Sequence, residues 1–256
     1  MIVMMRVDAF ISGLEKAENA NTCYLMGGFG CRLKSSGGDW YNKDYGWNKN
    51  NASIIAAHMD TVPVTFGFDC VCLIKGVLWG FNALPTKAYG GAVYQSNNVP
   101  DMTIAKLAAS CSDFSTDWSK DPEVGEIVFY DANYSHVGVY VGNGEVIEST
   151  PAWKCGVQRT LLPDRLNPKK LPVRKWWAHG HTSYVDYKLP IYNTPEPSTP
   201  EVPLIKMYEQ ALLQIQELKA ENTQLKTKVA ELESKLAQIK KAYAELDKSI
   251  RKIIPM

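Results

Sequence analysis

The sequence predicts an α+β domain, with N-terminal helices packed on an antiparallel sheet, followed by a C-terminal coiled-coil helix. Three observations carry this. Helical periodicity dominates the first part of the chain, and short β-branched runs dominate the stretch from about residue 125 to 178. Five prolines interrupt residues 189–203. Beyond them, apolar residues return every seven positions with no Gly or Pro from 204 to 254.

The first part, residues 1–188, holds all seven Trp and all six Cys. Helices are expected around Ala9–Ala20, over 70–81, and at about Met102–Cys111 after the Pro100-Asp101 start signal. Residues 30–67 are rich in Gly, Asn, Lys and aromatics, and read as a loop-rich insertion with one short helix at Ser53–Val62. Strands are expected at about 125–131, 136–142, 145–150, 156–160 and 173–178. Residues 189–203, with Pro190, Pro195, Pro197, Pro200 and Pro203, form a semi-extended linker.

Residues 204–256 read as an oligomerisation helix. One heptad row is Ala211, Leu218, Leu225, Leu232, Ile239, Leu246 and Ile253; the other is Tyr208, Ile215, Asn222, Val229, Leu236, Tyr243 and Ile250. Such a helix would be about 75 Å long, too narrow to bury its stripe on a small domain, so partner helices are expected. Leu at most d positions and β-branched residues at several a positions favour a parallel homodimer through 204–253. Asn222 would meet its own copy and fix the register. Tyr208 and Tyr243 at a are awkward in a dimer core and leave a trimer open.

Hydrophobic residues make up 45% and charged residues 21% of the chain, which excludes wholesale disorder. The net charge of +1 lacks the basic excess of a generic nucleic-acid binder. No apolar run is long enough to span a bilayer. Six cysteines without a CxxC pair read as reduced thiols rather than a disulfide scaffold. The N-terminus lacks the apolar core and small-residue cleavage site of a signal peptide, so synthesis in the cytoplasm is expected.

The segment from Gly67 to Gly80 bears the first chemical signal. Asp69 is a good N-cap for a helix starting at Cys70. Leu73, Ile74, Val77, Leu78 and Phe81 form one apolar face; Cys70 shares it and Cys72 lies elsewhere. A thiol in a first helical turn feels the positive end of the helix dipole, which favours the thiolate. Taken alone, Cys70 is equally compatible with a small core residue.

The second signal is the hairpin from His136 to Thr150, turned at Asn143-Gly144. A two-residue loop pairs residue 139 with 148 and points Glu148 away from His136. A three-residue loop, Gly142 to Gly144, pairs 138 with 148 and sets His136 and Glu148 diagonally on one face. The second register also puts Ile147 with Val137, Val139 and Val141, where a core needs it, so it is the expected one. Gly138 opposite Glu148 would leave room for the pair. Thiol, imidazole and a carboxylate orienting the imidazole would make a nucleophilic site: Cys70, His136 and Glu148, with the Cys70 N–H donating to the oxyanion.

The order of motifs, Tyr24-Leu25-Met26-Gly27-Gly28, then Phe68-Asp69-Cys70, then the His136 hairpin running into Glu148-Ser149-Thr150-Pro151-Ala152-Trp153, resembles the NlpC-type and CHAP-like cell-wall peptidases of the papain superfamily. The likeness is strongest to lysins of phages and prophages of Gram-positive bacteria, and it covers about residues 8–187. The resemblance implies a papain-like fold and hydrolysis of an amide bond in bacterial peptidoglycan through a cysteinyl acyl-enzyme, with no metal and no cofactor. It also implies action at the cell wall after release by a holin or lysis. It places the Tyr24 hydroxyl near the thiol, and Asp69 and Gly138 with Tyr24 around the oxyanion and substrate. The chain departs from the pattern in having Cys72 where Gly is usual, Glu148 where His, Asn or Gln is common, and a longer 29–67 segment. Two other activities fit the same motifs: a non-catalytic wall-binding or phage structural adaptor, and an acyltransferase.

His179-Gly180-His181 offers too few ligands for a metal site. Trp176 and Trp177 read as strand-packing residues, His58 and Asp60 as surface residues, and Lys169-Lys170 with Arg174-Lys175 as a solvated basic face.

Overall fold

A computed structural model describes residues 4–188 and, within 227–246, all but 230 and 242. The chain divides into two units, Met1–Ile191 and Tyr192–Met256. The expected linker and the first heptads of the coil lie outside the described residues.

The first unit is α+β, with an antiparallel main sheet as expected and two smaller sheets that contain parallel pairs. Strand β1 (Met5–Arg6) leads into helix α1 (Val7–Asn19), and β2 (Thr22–Tyr24) and β3 (Phe29–Arg32) follow. Short helices α2 (Gly46–Asn50) and α3 (Ala52–Ala57) precede β4 (Phe66–Phe68), which runs directly into α4 (Cys70–Leu78). Helix α5 (Ile104–Ala109) and strand β5 (Cys111–Ser115) come next. The remaining strands are β6 (Ile127–Phe129), β7 (Val137–Gly142), β8 (Glu145–Thr150), β9 (Gly156–Leu161), β10 (Ala178–Thr182) and β11 (Val185–Asp186).

The main sheet has the order β5-β10-β6-β7-β8-β9 and every neighbouring pair is antiparallel. A smaller sheet, β2-β4-β3, was not expected from the sequence; its β2–β4 pair is parallel, as is β1–β11. The segment 30–67 therefore carries two short helices and strands at its ends, not one helix at Ser53–Val62. Helix α5 begins at Ile104, where the Thr103 side chain accepts the Lys106 N–H, rather than after Pro100-Asp101.

Alternation along the strands separates two faces. Ile127, Phe129, Val137, Val139, Ile147 and Val157 point inward and pack with Phe10 and Leu14 of α1 and Leu73, Ile74 and Val77 of α4. Val128, Tyr140, Val146 and Trp176 form a second, outer cluster. At about 25 cal/mol per Å² of apolar surface removed from water, this inner layer is the main stabilising contribution to the unit.

The β7–β8 hairpin has Val139 opposite Ile147, the register the three-residue loop required. The device is different. Asn143 and Gly144 form a two-residue turn, both with positive φ, between paired Gly142 and Glu145. A bulge between Tyr140 and Gly142 then shifts the register by one residue.

The strand expected at 173–178 is displaced. Val173 makes only an isolated bridge to Leu161, and Arg174 N–H bonds Leu161 O at 3.0 Å. Three residues later the Trp177 N–H bonds Phe129 O at 2.8 Å, and β10 begins at Ala178. The segment thus leaves β9 at the sheet edge and crosses the outer face to β6. The crossing drops the side chains of Arg174 and Trp176 onto β8 and β7.

In the second unit, residues 227–229, 231–241 and 243–246 are helical. Their apolar row, Val229, Leu232, Leu236, Ile239, Tyr243 and Leu246, is exposed along its whole described length. Among the described residues, no helix is long and apolar enough to cross a membrane.

Candidate active site

Cys70 opens α4. The helix starts there because Asp69 caps it: its Oδ1 accepts the Cys72 N–H at 2.6 Å and its Oδ2 accepts the Gly27 N–H at 2.8 Å. Both oxygens of the buried Asp69 are thus bonded to backbone. Asp69 ties the Gly27-Gly28 turn to the helix start, a positioning role. Burial, working against these hydrogen bonds, leaves its carboxyl above the usual range.

Cys70 faces β7, where the Val137 N–H reaches its sulfur. The Tyr24 hydroxyl lies against the same thiol, and the Tyr24 ring is held edge-on by Trp47 at 4.8 Å. The expected thiolate is not favoured at rest. Burial first, and then the neighbouring Asp69 charge, push the Cys70 thiol up to about 12, outweighing the first-turn amides. Cys72 is buried on another side of the helix, and burial raises its thiol as well.

His136 stands immediately before β7, so the residue after it is the one that touches Cys70. Its Nε2 is 2.6 Å from Glu148 Oε2. Its ring stacks on the buried Trp176 indole, with centroids 5.7 Å apart and planes 17° from parallel. A Cβ at Gly138 would sit 2.7 Å from Val146 and 3.0 Å from Trp176, so this glycine admits the indole that backs the imidazole. Gly138 thus shapes the site through packing.

Glu148 is 0% exposed. Besides His136, its Oε1 accepts from Thr160 Oγ1 at 2.7 Å and from Arg174 Nε at 2.9 Å. Burial raises its pKa, but the His136 hydrogen bond and charge, the Arg174 charge and the Thr160 bond together outweigh it, and the carboxyl titrates below its ordinary range. Arg174 in turn lies over the rings of Trp153, Tyr130 and Trp176, at 4.8, 5.4 and 5.6 Å. Arg174 was expected on a solvated basic face and is instead a half-buried partner of the site. Thr160 and Arg174 were missed because neither stands near His136 or Glu148 in sequence. The β-branched alternation of β9 was the one available hint for Thr160.

An ionised carboxylate only accepts hydrogen bonds, so the shared proton belongs to His136 Nε2. When the ring is neutral, Nδ1 then carries the lone pair. Among the described residues no hydrogen bond engages Nδ1. The group is therefore arranged as a base whose far side is held by a buried anion.

The remaining histidines are engaged elsewhere. His179 bonds Glu126 and the Asp117 carbonyl, and His181 bonds Glu123 at 3.1 Å. Folding does bring carboxylates to this His pair, which sequence spacing did not reveal. Among the described residues no group of three or more His, Cys, Asp or Glu is disposed to hold a metal ion. His58 and Asp60 lie on the surface. A cavity of about 700 Å³ opens beside the first turn of α4, lined by Asp69, Cys72 and Lys75 but not by Cys70, His136 or Glu148.

Because the folded pKa of Glu148 lies below its ordinary value of 4.5, its stabilising contribution is present above pH 4.5 and is lost as pH falls through the folded value. Urea unfolding from pH 7 to pH 3 should show this loss in the wild-type chain. Glu148→Gln should be less stable at pH 7 by about 3 kcal/mol, since Arg174 loses its buried counter-charge, and should show a shallower acid limb. Identical acid limbs would contradict the ionised assignment. No protein-family model matches the chain, and no curated protein matches it in sequence.

Proposed function

We propose that the chain is a cysteine peptidase or amidase with a papain-like arrangement that hydrolyses an amide bond of bacterial peptidoglycan. One observation carries the reaction type: a fully buried carboxylate clamps an imidazole whose neighbouring residue touches a first-turn cysteine. The substrate class rests on the order of motifs in the sequence.

In this reading Cys70 is the nucleophile and His136 the base. The thiol is un-ionised at rest, so His136 Nδ1 removes its proton as the sulfur attacks the carbonyl carbon. The C=O π pair moves onto oxygen, and the Cys70 N–H, unpaired because it lies in the first helical turn, donates to that oxyanion. The tetrahedral intermediate collapses, the C–N bond breaks, and the imidazolium gives its proton to the leaving amine. Water, deprotonated by the same ring, then hydrolyses the thioester. Glu148 stabilises the imidazolium, and Arg174 and Thr160 keep Glu148 ionised and in place. The Tyr24 hydroxyl stands beside the sulfur, where it can hydrogen-bond the acyl group.

Residues 204–253 would join two such domains as a parallel dimer. The exposed apolar row from Val229 to Leu246 supports this, because an isolated helix with that stripe in water lacks a partner for it. Two domains on one polymeric wall would engage it with higher avidity than one.

Cys70→Ala should lower clearing of purified walls by at least about 10³-fold with unfolding unchanged, while Cys72→Ala should retain most activity. Clearing by the Cys70→Ala chain at the wild-type rate would sink the enzyme reading and leave a wall-binding adaptor. Sedimentation equilibrium should give the mass of two chains for the full protein and of one chain after removal of residues 204–256. A monomer at high concentration would reject the coil.

A further inference from the structure

The cavity beside α4 is built unlike the site around Cys70. Its floor holds Phe29 and Tyr89, stacked 4.3 Å apart with planes 12° from parallel, and Trp79 meets Phe29 edge-on. Its rim carries large rings left in solvent: Trp40 is 72% exposed, Tyr94 53% and Tyr45 42%. Trp40 and Tyr45 come from the segment that is longer here than in the lysins the sequence resembles. Rings this exposed contribute little to the core, and clustered about a cleft they mark a binding surface. The volume of about 700 Å³ is within the usual range for small-ligand sites, about 300–1,000 Å³.

The charges of the lining narrow the ligand. Lys75 is ion-paired with Asp101, which also accepts from the Tyr94 hydroxyl at 3.0 Å. Asp69 is bonded to backbone through both oxygens. Lys106 stands exposed at the edge. The inner cavity thus offers no fixed charge without a counterpart, and a ligand rich in carboxylates or ammonium groups would be desolvated there without compensation. What fits is a neutral molecule with flat apolar faces for the rings and a rim of hydroxyl and amide groups for Lys75, Asp101 and Thr103.

We propose that this cavity is a saccharide-binding site that takes N-acetylated pyranose units of a glycan strand through Trp40 and Tyr94. Its assignment to the glycan of the cell wall rests on the hydrolase reading above; the site itself rests on the cavity. One helical turn then serves two tasks: Cys70 faces β7, and Cys72 and Lys75 face the sugar. Strand binding beside the cleavage site would hold a polymeric substrate through repeated attempts at its peptide branches.

The test is titration of the full chain with a soluble β-1,4-linked N-acetylglucosamine tetramer, read by tryptophan fluorescence and calorimetry. Wild type and Cys70→Ala should bind equally. Trp40→Ala and Tyr94→Ala should each weaken binding at least tenfold, and Tyr94→Phe, which keeps the ring, should weaken it less. Both side chains are largely exposed, so circular dichroism should be unchanged. No saturable binding by wild type, binding indifferent to both ring removals, or displacement of the tetramer by a free stem peptide would each overturn the sugar site. A wild-type chain that binds the tetramer but leaves purified walls uncut would sink the hydrolase and leave this site standing. Wall cutting without tetramer binding would do the reverse.

Discussion

A carboxylate with no exposure to water has to be surrounded by partners or give up its charge. Glu148 is surrounded: His136, Thr160 and Arg174 reach it from three different parts of the chain. Much of the outer face of the main sheet is organised around that requirement. Thr160 comes from the neighbouring strand β9, and Arg174 from the segment that crosses the sheet. The rings of Trp153, Tyr130 and Trp176 lie against the guanidinium. Removing Arg174 leaves Glu148 without its fixed counter-charge, and removing Thr160 or His136 leaves a buried carboxylate oxygen short of a donor, so the cluster acts as a unit and not as separate salt bridges.

The same cluster fixes what the imidazole can do. A His held only by a surface carboxylate keeps many rotamers and both tautomers. Here the ring is stacked on the Trp176 indole, and one nitrogen is committed to Glu148. The thiol on the other side of the sheet edge is kept neutral by burial, so the ion pair that some cysteine enzymes hold at rest has no support here. In the proposed mechanism charge separation would be deferred to the moment of attack, when Glu148 and Arg174 already stand in place to stabilise it. Such preorganisation needs no reorientation of dipoles during the reaction.

Much of this could be read along the chain, because it depends on local rules. The Asp69 cap, the helix it starts and the Cys70 face follow from spacing within one turn. The pairing of His136 with Glu148 follows from requiring Ile147 to face the core, and it survived an error about the loop, since a bulge at Val141 and Gly142 does the work assigned to a third loop residue. The rest depends on long-range placement. Arg174 sits among lysines and reads as solvated until the crossing segment is known. Val173 and the two tryptophans suggested a strand, but their backbone groups serve two different strands, β9 and β6, and the true strand is the Ala178–Thr182 run with its two histidines. Strands β2, β3 and β4 are three or four residues long and carry no usable alternation, so the small sheet that seats Tyr24 was invisible. The helix dipole at Cys70 is legible in the sequence, and the burial that overrides it is not.

The most direct test is nitrogen-15 NMR of the His136 ring in the wild-type chain and in Glu148→Gln. The account predicts that the neutral ring carries its proton on Nε2, with a downfield, exchange-protected proton resonance bonded to Glu148 that disappears in Glu148→Gln. A neutral ring protonated on Nδ1, or an Nε2 proton indifferent to the Glu148 substitution, would contradict it.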